Sequence, residues 1–257
     1  MRENRLKQLW KEGQTVVNAW LTMPSSWSAE VMAHAGFDSL TLDMQHGLPD
    51  YQVALTMLQA ISTTDVVPLV RVPWNDPAIL MRMLDAGVYG IICPMINSRA
   101  EAEAFVGACR YAPLGYRSYG PTRAAVYAGD DYAARANDTV LMLAMIETAM
   151  ALKNLDDILS TPGLDGFYVG PSDLSLSLGL PKLGDFTNPM LMRALDTILN
   201  AAARHNIVPG IHAYTPENAV MLSERGFRLV TPADDTRLLR AAASAAATAT
   251  RRGLKRE

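Results

Sequence analysis

Two carboxylates stand at the ends of two neighbouring apolar stretches that have the length of β-strands. Glu147 ends the stretch Leu-Met-Leu-Ala-Met-Ile-Glu, and Asp173 follows Gly-Phe-Tyr-Val-Gly-Pro-Ser one helical segment later. Parallel strands joined by a helix end at the same edge of a sheet, so both carboxylates should face one site. Oxygen ligands on separate strands suit a hard divalent cation. The alternative is that both residues only stabilise the start of a helix, Glu147 by capping the helix that follows it and Asp173 as an N-cap.

Further side chains that can do chemistry stand at or near the ends of other predicted strands. They are Trp20, Asp43, His46, Arg71, Ser172 and His212. A histidine three positions after an aspartate could be a base that the aspartate orients, and an arginine could neutralise a developing oxyanion. Each also has a plainer interpretation, His46 as a loop histidine and Arg71 as a salt-bridge partner at the barrel mouth. Their convergence on one face favours a catalytic site.

The positions of the lysines indicate whether a Schiff base or a metal ion could stabilise a carbanion. They are Lys7, Lys11, Lys153, Lys182 and Lys255, and all lie in predicted helices, loops or termini. A Schiff base needs a desolvated lysine in the site, so stabilisation would have to come from a metal ion instead. The turn before Asp173 adds backbone N–H groups of Ser172 and Asp173, which would welcome a substrate carboxylate.

Eight strand-like segments alternate with helical patterns. The strands are predicted at residues 15–21, 39–44, 66–72, 90–95, 141–147, 166–170, 208–212 and 227–231. This alternation implies a parallel sheet, and eight strands imply an α/β protein with the (β/α)₈ TIM-barrel fold, here one domain over residues 1–257. An extra amphipathic helix precedes the first strand. Two insertions, residues 111–138 and 174–188, are expected on the face that carries the chemistry, the first without clear regular structure.

Composition excludes several classes of partner. The chain has 257 residues, 49% hydrophobic and 19% charged, with 23 basic and 26 acidic residues and a formal net charge of −3. No basic face indicates nucleic acid or an anionic membrane, and no signal-peptide or transmembrane stretch occurs. Cys93 and Cys109 form neither a disulfide framework nor a zinc motif. A cytoplasmic enzyme acting on small molecules is therefore expected.

Six short motifs follow one another in a recognisable order. They are LDMQHG from Leu42, VRVPWNDP from Val70, LDAG from Leu84, PM from Pro94, IET from Ile146 and GPSDLS from Gly170. With these motifs the chain resembles the metal-dependent class II pyruvate aldolases, the group of 4-hydroxy-2-oxoheptanedioate and 2-keto-3-deoxy sugar acid aldolases. The resemblance is colinear from about Trp20 to the last helix.

The resemblance implies a mechanism and an assembly. Glu147 and Asp173 would bind the divalent metal (Mg²⁺, Mn²⁺ or Co²⁺), and Arg71 would contact the pyruvate oxygens. A 4-hydroxy-2-oxo acid would be cleaved reversibly to pyruvate, or a close relative such as hydroxypyruvate, and an aldehyde. The assembly would be a homo-hexamer, a trimer of dimers, in which the carboxy-terminal helix is exchanged between neighbours.

The same resemblance assigns proton transfer to His46, oriented by Asp43 and Asp85. The chain departs from better-known members at Gln45, where they often have Glu, and at Met145, where they often have Gln.

A third departure is His212, where an aliphatic residue is usual. His212 should face the substituent on C3 of the nucleophile and favour a hydroxylated one, unless it only bonds a backbone carbonyl or Tyr214.

Two other functions remain open. The first is a lyase for CoA thioesters of the malyl or citramalyl type, which would need a basic docking surface; Arg110, Arg117 and Arg123 in or beside the first insertion could supply one. The second is a catalytically silent barrel that serves as an oligomeric scaffold. Pyruvate release would separate the scaffold from an aldolase.

Overall fold

The computed structural model describes residues 1–254. Eight parallel strands form a closed barrel in which each strand pairs with its neighbours in sequence and the last pairs with the first. The strands are β1 Val16–Leu21, β2 Ser39–Asp43, β3 Val67–Arg71, β4 Gly90–Cys93, β5 Leu141–Ile146, β6 Gly166–Val169, β7 Val208–His212 and β8 Leu229–Asp234. The predicted TIM barrel is confirmed.

Helices surround the barrel. They are α1 Arg5–Lys11, α2 Ser26–Ala33, α3 Tyr51–Ile61, α4 Pro77–Asp85, α5 Arg99–Cys109, α6 Thr122–Ala128, α7 Tyr132–Thr139, α8 Ala149–Lys153, α9 Leu155–Leu159, α10 Pro171–Ser177, α11 Pro189–His205, α12 Pro216–Arg225 and α13 Asp235–Gly253. Residues 149–159 form two short helices because Asn154 ends α8 and precedes α9.

Local sequence explains why the strands and helices alternate where they do. Every residue of β5 is buried and apolar, as expected for a strand covered on both faces in a parallel sheet. Nine of the thirteen helices described start after a side chain that accepts a hydrogen bond from their first turn, such as Asp50 before α3, Asp76 before α4 and Thr215 before α12. Such a cap stabilises a helix by about 1 kcal/mol.

The predicted amino-terminal helix packs at the end of the barrel where the strands begin. Leu6 and Leu9 of α1 are buried in the core. Asn4 caps this helix, and its Nδ2 donates hydrogen bonds to the carbonyl oxygens of Tyr89 and Thr139 at 3.1 and 2.9 Å. Because these bonds satisfy carbonyls just before β4 and β5, they attach the helix to the closed end of the barrel.

The prediction for the first insertion, residues 111–138, is wrong in two respects. The segment contains most of α6 and α7, so it has regular structure. It also follows helix α5 and precedes strand β5, which places it at the end of the barrel where strands begin, opposite the face that carries barrel active sites. An insertion lies at the catalytic face only when it follows a strand.

Buried arginines hold this insertion in place. Arg110 donates to the carbonyls of Val140 and Gly163 and pairs with Asp165 at 2.6 Å. Arg117 pairs with Asp85 at 2.6 Å, and its side chain is fully buried. Both guanidinium groups are therefore used within the fold.

The second insertion, residues 174–188, lies where it was expected. It follows β6 and connects α10 to α11 at the end of the barrel where the strands finish. Within it, Gly184 has a φ of +61°, and a Cβ there would lie 2.7 Å from the Tyr214 ring. The insertion therefore packs closely on the turn that follows β7.

The carboxy-terminal helix leaves the barrel after its first turn. Asp235 is buried, but every residue from Thr236 to Leu254 is exposed, including Leu238 and Leu239 at 45% and 59%. An alanine-rich helix that buries no face against its own chain has an unpartnered surface. None of the helices within residues 1–254 combines the length and apolar character needed to cross a bilayer.

Candidate active site

Glu147 and Asp173 occupy adjacent positions at the catalytic end of the barrel. Glu147 directly follows β5 and is 3% exposed; its Oε1 accepts a hydrogen bond from the backbone N–H of Met95 at 2.8 Å. Asp173 lies in the first turn of α10. The capping alternative is wrong, because Thr148 caps α8 and the N-cap position of α10 is Gly170.

Gly170 is required beside this pair of carboxylates. A Cβ at this position would lie 2.5 Å from Glu147 Oε2. Such an approach is too short for any other residue without displacement of the carboxylate. The glycine thereby leaves Oε2 room on the side of the cavity, which Gly170 itself lines.

Burial and a neighbouring carboxylate dominate the electrostatics of Glu147. Burial raises the pKa of Glu147 to about 7; the charge of Asp173 raises it further, while the Met95 N–H and Arg71 oppose the increase. No salt bridge to Glu147 or Asp173 occurs within residues 1–254. A divalent cation between the two carboxylates would offset both charges. The same part of the chain contains no group of three or more His, Cys, Asp or Glu side chains arranged so that they could hold a metal ion, so water and substrate would complete the coordination.

Asp43 and Arg71 form a two-point ion pair at the ends of β2 and β3. Arg71 Nε donates to Asp43 Oδ1 at 2.9 Å and Nη2 donates to Oδ2 at 2.6 Å. Burial alone would raise the pKa of Asp43, but the bonds and charge of Arg71 outweigh it, and the pKa lies below its usual value. Arg71 is thus both a salt-bridge partner and a cavity residue, with Nη1 free of protein hydrogen bonds among residues 1–254.

His46 lines the cavity on the turn after β2. Asp43 Oδ1 accepts the backbone N–H groups of Gln45 and His46 at 3.1 and 3.3 Å. Gly47 permits the turn, because a Cβ there would lie 2.3 Å from the Asp43 carbonyl oxygen. Asp43 therefore positions the backbone of His46 and not its imidazole, which makes no hydrogen bond within the described part of the chain.

Asp85 does not belong to this site within one chain. It ends helix α4, at the opposite end of the barrel, and pairs with Arg117. The prediction that Asp85 orients His46 is therefore wrong for the isolated chain. The distance follows from topology, since α4 starts at the catalytic end and runs to the other end.

Aromatic side chains form one wall of the cavity. Trp20, 4% exposed at the end of β1, stacks on Tyr168 with 5.3 Å between ring centroids and meets His212 edge-on at 5.4 Å. The Arg71 guanidinium lies 5.1 Å from the Trp20 ring centroid. This cation–π contact adds to the Asp43 ion pair in fixing the Arg71 guanidinium.

His212 belongs to a buried polar chain that determines its tautomer. Tyr168 donates its hydroxyl proton to Thr231 Oγ1 at 2.6 Å, and His212 Nδ1 lies 3.3 Å from the same tyrosine oxygen. Because the tyrosine proton is already used, Nδ1 must carry the proton of that weak bond and Nε2 is an acceptor. Burial, with the charges of Arg71 and Arg237, lowers the pKa of His212 to about 3, so the ring is neutral.

Three functional candidates were not predicted from sequence: Tyr168, Tyr214 and Arg237. Tyr214 shares a hydrogen bond of 2.6 Å with Ser172 Oγ, and the Arg237 guanidinium lies 5.2 Å from the Tyr214 ring centroid. Tyr214 has a φ of +67°, which is uncommon for a residue with a Cβ. Arg237 could have been predicted from sequence, because it lies in the first turn of the helix after the eighth strand, at the catalytic face of the barrel.

Most of these groups surround one cavity of about 270 Å³, although Glu147 and Asp43 are not among its lining residues. It is lined by Trp20, His46, Arg71, Met145, Tyr168, Gly170, Pro171, Ser172, Asp173, His212, Tyr214 and Arg237. None of the lysines within residues 1–254 lines it, and Lys255 lies outside the described residues. Of the departures, Met145 lines the cavity, whereas Gln45 Oε1 is buried without a hydrogen-bond partner in the described chain.

Comparison with known proteins agrees with this geometry. Residues 17–242 match the family model described as HpcH/HpaI aldolase/citrate lyase. A hydroxypyruvate/pyruvate aldolase from Rhizorhabdus wittichii is 40% identical over 240 residues, covering 93% of this chain and 96% of the relative. A 4-hydroxy-2-oxo-heptane-1,7-dioate aldolase from Escherichia coli is 37% identical over 248 residues, covering 95% of this chain and 94% of the relative.

A solved structure matches at the level of the whole fold. A HpcH/HpaI aldolase/citrate lyase family protein from Burkholderia cenocepacia superposes with a TM-score of 0.89 at 33% identity, covering 96% of this chain and 99% of that one. The family match spans most of the barrel and includes every strand end that carries a site residue. The chain belongs to the HpcH/HpaI aldolase/citrate lyase family.

Proposed function

We propose that this chain is a divalent-metal-dependent aldolase that reversibly cleaves a 4-hydroxy-2-oxo acid to pyruvate or hydroxypyruvate and an aldehyde. The observation that carries this proposal is the buried carboxylate of Glu147, which lies behind Gly170 and near Asp173, two residues that line a cavity together with Arg71. The names of relatives at 40% and 37% identity support the reaction class. The domain that acts is the barrel over residues 1–257.

Glu147 and Asp173 would hold the metal, Mg²⁺, Mn²⁺ or Co²⁺. When bound, a divalent ion supplies Lewis acidity to the oxygens of a 2-oxo acid. These residues suit a divalent cation because they supply two carboxylate ligands on rigid elements. One of the two is buried with its pKa raised, and neither forms a salt bridge within residues 1–254. The Met95 N–H fixes Glu147 Oε1, so Oε2 is the atom that remains for binding.

Arg71 orients the substrate in this proposal. Its Nε and Nη2 are held by Asp43, and its Nη1 is left to donate to a carboxylate or an enolate oxygen. Because the guanidinium is fixed in advance by Asp43 and Trp20, it needs no reorganisation when negative charge develops on that oxygen. Ser172 and its backbone N–H, at the start of α10, provide a second donor for the substrate carboxylate.

His46 is the proposed group for proton transfer. In the cleavage direction its imidazole would take the proton of the 4-hydroxyl group, directly or through a water molecule, as the C3–C4 bond breaks. Its position on the cavity and the absence of a protein partner for the ring in the described chain leave the imidazole available for this task.

His212 is the proposed contact for a hydroxyl group on C3 of the nucleophile. A neutral imidazole whose Nε2 is an acceptor can receive a hydrogen bond from the hydroxyl of hydroxypyruvate, which pyruvate lacks. The relative from Rhizorhabdus wittichii bears both nucleophiles in its name. This supports a site that accepts either.

The CoA-thioester alternative loses its main support. Arg110 and Arg117 are buried in ion pairs at the opposite end of the barrel, and Arg123 donates to the carbonyl of Ala86 at 2.6 Å near that end. They do not form a basic surface beside the cavity.

The proposed assembly is a homo-hexamer, a trimer of dimers that exchange helix α13. The support is the fully exposed helix beyond Thr236, because such a helix gains stability only when another surface covers it. Sedimentation of the full chain and of a chain ending at Arg240 would test it. A hexamer that persists without the helix would contradict the exchange. A cytoplasmic location is the accompanying proposal.

The function is tested by pyruvate release from a panel of 4-hydroxy-2-oxo acids, with and without EDTA. Cleavage that is lost in EDTA and restored by Mg²⁺, Mn²⁺ or Co²⁺ is expected. Full activity in excess EDTA, or a substrate adduct trapped with borohydride, would favour a lysine mechanism instead. No pyruvate from any acid, with metal present, would favour the scaffold.

A further inference from the structure

Arg237 places a second guanidinium group at the cavity, and the proposed reaction assigns no role to it. It lines the same cavity as Arg71, and the charges of both arginines lower the pKa of His212. Arg71 is bound by Asp43, next to the proposed metal site. Arg237 comes from the first turn of α13, on the side of β7 and β8.

The backbone that carries Arg237 is tied firmly to the barrel. Asp235 Oδ1 accepts hydrogen bonds from the backbone N–H and hydroxyl of Thr22 at 2.9 and 2.8 Å, and its Oδ2 accepts one from the Met23 N–H at 3.1 Å. Asp234 caps the helix by accepting from the Arg237 N–H at 2.8 Å. The rest of α13 is exposed, so these bonds serve to position its first turn.

The guanidinium is held at one edge and open at the other. Its Nε lies 3.1 Å from Asp234 Oδ2, and its carbon lies 5.2 Å from the centroid of the Tyr214 ring, whose hydroxyl is bonded to Ser172. Neither Nη group makes a hydrogen bond within residues 1–254. The side chain also lines the cavity, so a ligand bound there can reach it. Two parallel N–H donors on one guanidinium edge match the two oxygens of a carboxylate.

We infer that Arg237 binds a carboxylate on the aldehyde partner, which makes this site selective for aldehydes that carry an acid group. The inference deepens the proposed function and rests on it. The 2-oxo acid carboxylate is assigned to Arg71 and the turn before α10, so the free guanidinium suits the other end of the substrate. A single carboxylate also balances a guanidinium already half neutralised by Asp234, whereas a phosphate dianion would lack a second cation there.

The experiment compares two acceptors of equal chain length in the aldol direction. With pyruvate as nucleophile and metal present, kcat/KM is measured for succinic semialdehyde and for butanal. In Arg237→Met the ratio of the two values should fall about tenfold, the effect expected when one charge-assisted hydrogen-bond pair at a partly exposed site is lost. Arg237→Lys keeps the charge without the two-point geometry, so it should keep part of the preference. Arg240→Met, one turn further along the same helix, is the matched control.

Several results would overturn the inference. An equal loss for both acceptors in Arg237→Met would assign Arg237 to the support of Tyr214. If Arg237→Met leaves the ratio of the two acceptors unchanged but loses activity when oxaloacetate replaces pyruvate, Arg237 contacts the nucleophile and not the aldehyde. No adduct from the unmodified protein with either acceptor would be a failure of the proposed function. In that case calorimetric titration with succinic semialdehyde alone still tests the contact, because the wild type should bind it about tenfold more tightly than Arg237→Met; equal binding would overturn the contact.

Discussion

Arg71 donates two hydrogen bonds to Asp43, from Nε to Oδ1 at 2.9 Å and from Nη2 to Oδ2 at 2.6 Å. The same carboxylate accepts a hydrogen bond from the backbone N–H of His46 in the turn after β2. One buried carboxylate thus fixes both the proposed oxyanion partner and the loop of the proposed base. The ends of β2 and β3 act as a unit, because loss of either partner leaves the other buried and unpaired.

Arg71→Ala should reduce kcat/KM for retro-aldol cleavage by at least ~10²-fold, since one preorganised charge aimed at a developing oxyanion contributes a few kcal/mol. Arg71→Lys should not restore activity, because lysine cannot make the two-point bond to Asp43. Steady-state kinetics on the pyruvate-releasing assay measure both. Arg99→Ala, which removes an exposed arginine paired with Glu103, is the control and should match the wild type. Activity of Arg71→Ala within fivefold of wild type would contradict the role.

Metal affinity should depend on pH through Glu147. Its pKa is raised to about 7 in the metal-free chain, and only the ionised carboxylate binds a cation. Affinity should therefore be nearly constant above pH 7 and weaken about tenfold per unit as the pH falls below 7. Calorimetric titration with Mn²⁺ at several pH values measures this. Glu147→Gln should abolish binding, whereas Glu103→Gln on the surface should not; equal affinity at pH 5.5 and 7.5 would refute the assignment.

His46→Ala should lower kcat by roughly 10²-fold or more, as expected for loss of a positioned general base. Its affinity for Mn²⁺ should stay within about twofold of the wild type, because the imidazole is proposed as a base and not as a ligand. His34→Ala, at an exposed position after α2, is the matched control. If metal binding collapses in His46→Ala, the roles have been assigned wrongly.

His212→Leu should shift selectivity between nucleophiles toward pyruvate. The ratio of kcat/KM for hydroxypyruvate over pyruvate should fall roughly tenfold, because one hydrogen bond of about 1.4 kcal/mol to the extra hydroxyl is lost. His212→Leu leaves the Tyr168 hydroxyl bonded to Thr231, so the wall should keep its shape. An unchanged ratio would give His212 a structural role only. His34→Leu serves as the control.

A second measurement tests the protonation state of His212. Burial and two neighbouring guanidinium groups lower its pKa to about 3, so its ring resonances should not titrate between pH 5 and 8 in a nuclear magnetic resonance experiment. A pKa near the ordinary histidine value would remove the argument that Nε2 is an acceptor. The result would then favour a charged imidazole, which donates from both nitrogens.

The sequence by itself determined the barrel and most of the residues at its mouth. Strands and helices are encoded by local periodicity and caps, and parallel strands joined by helices must end on one face. Trp20, Arg71, Asp173 and His212 were therefore expected on that face, and all four line the cavity. The position of the first insertion was also decidable from sequence, because it follows the helix that ends at Cys109 and therefore lies at the other end of the barrel.

Only the tertiary structure decided which side chains become partners. Asp43 has a histidine and an arginine within reach, and the register of β2 against β3, with Asp43 opposite Arg71, selects the arginine. Asp85 does not lie at the catalytic end of the barrel, because its helix runs to the opposite end, where Asp85 pairs with Arg117. The contacts of Tyr168 with His212 and of Arg237 with Tyr214 depend on side-chain directions at separate elements. Such pairings depend on distances between segments far apart in sequence, which local patterns do not encode.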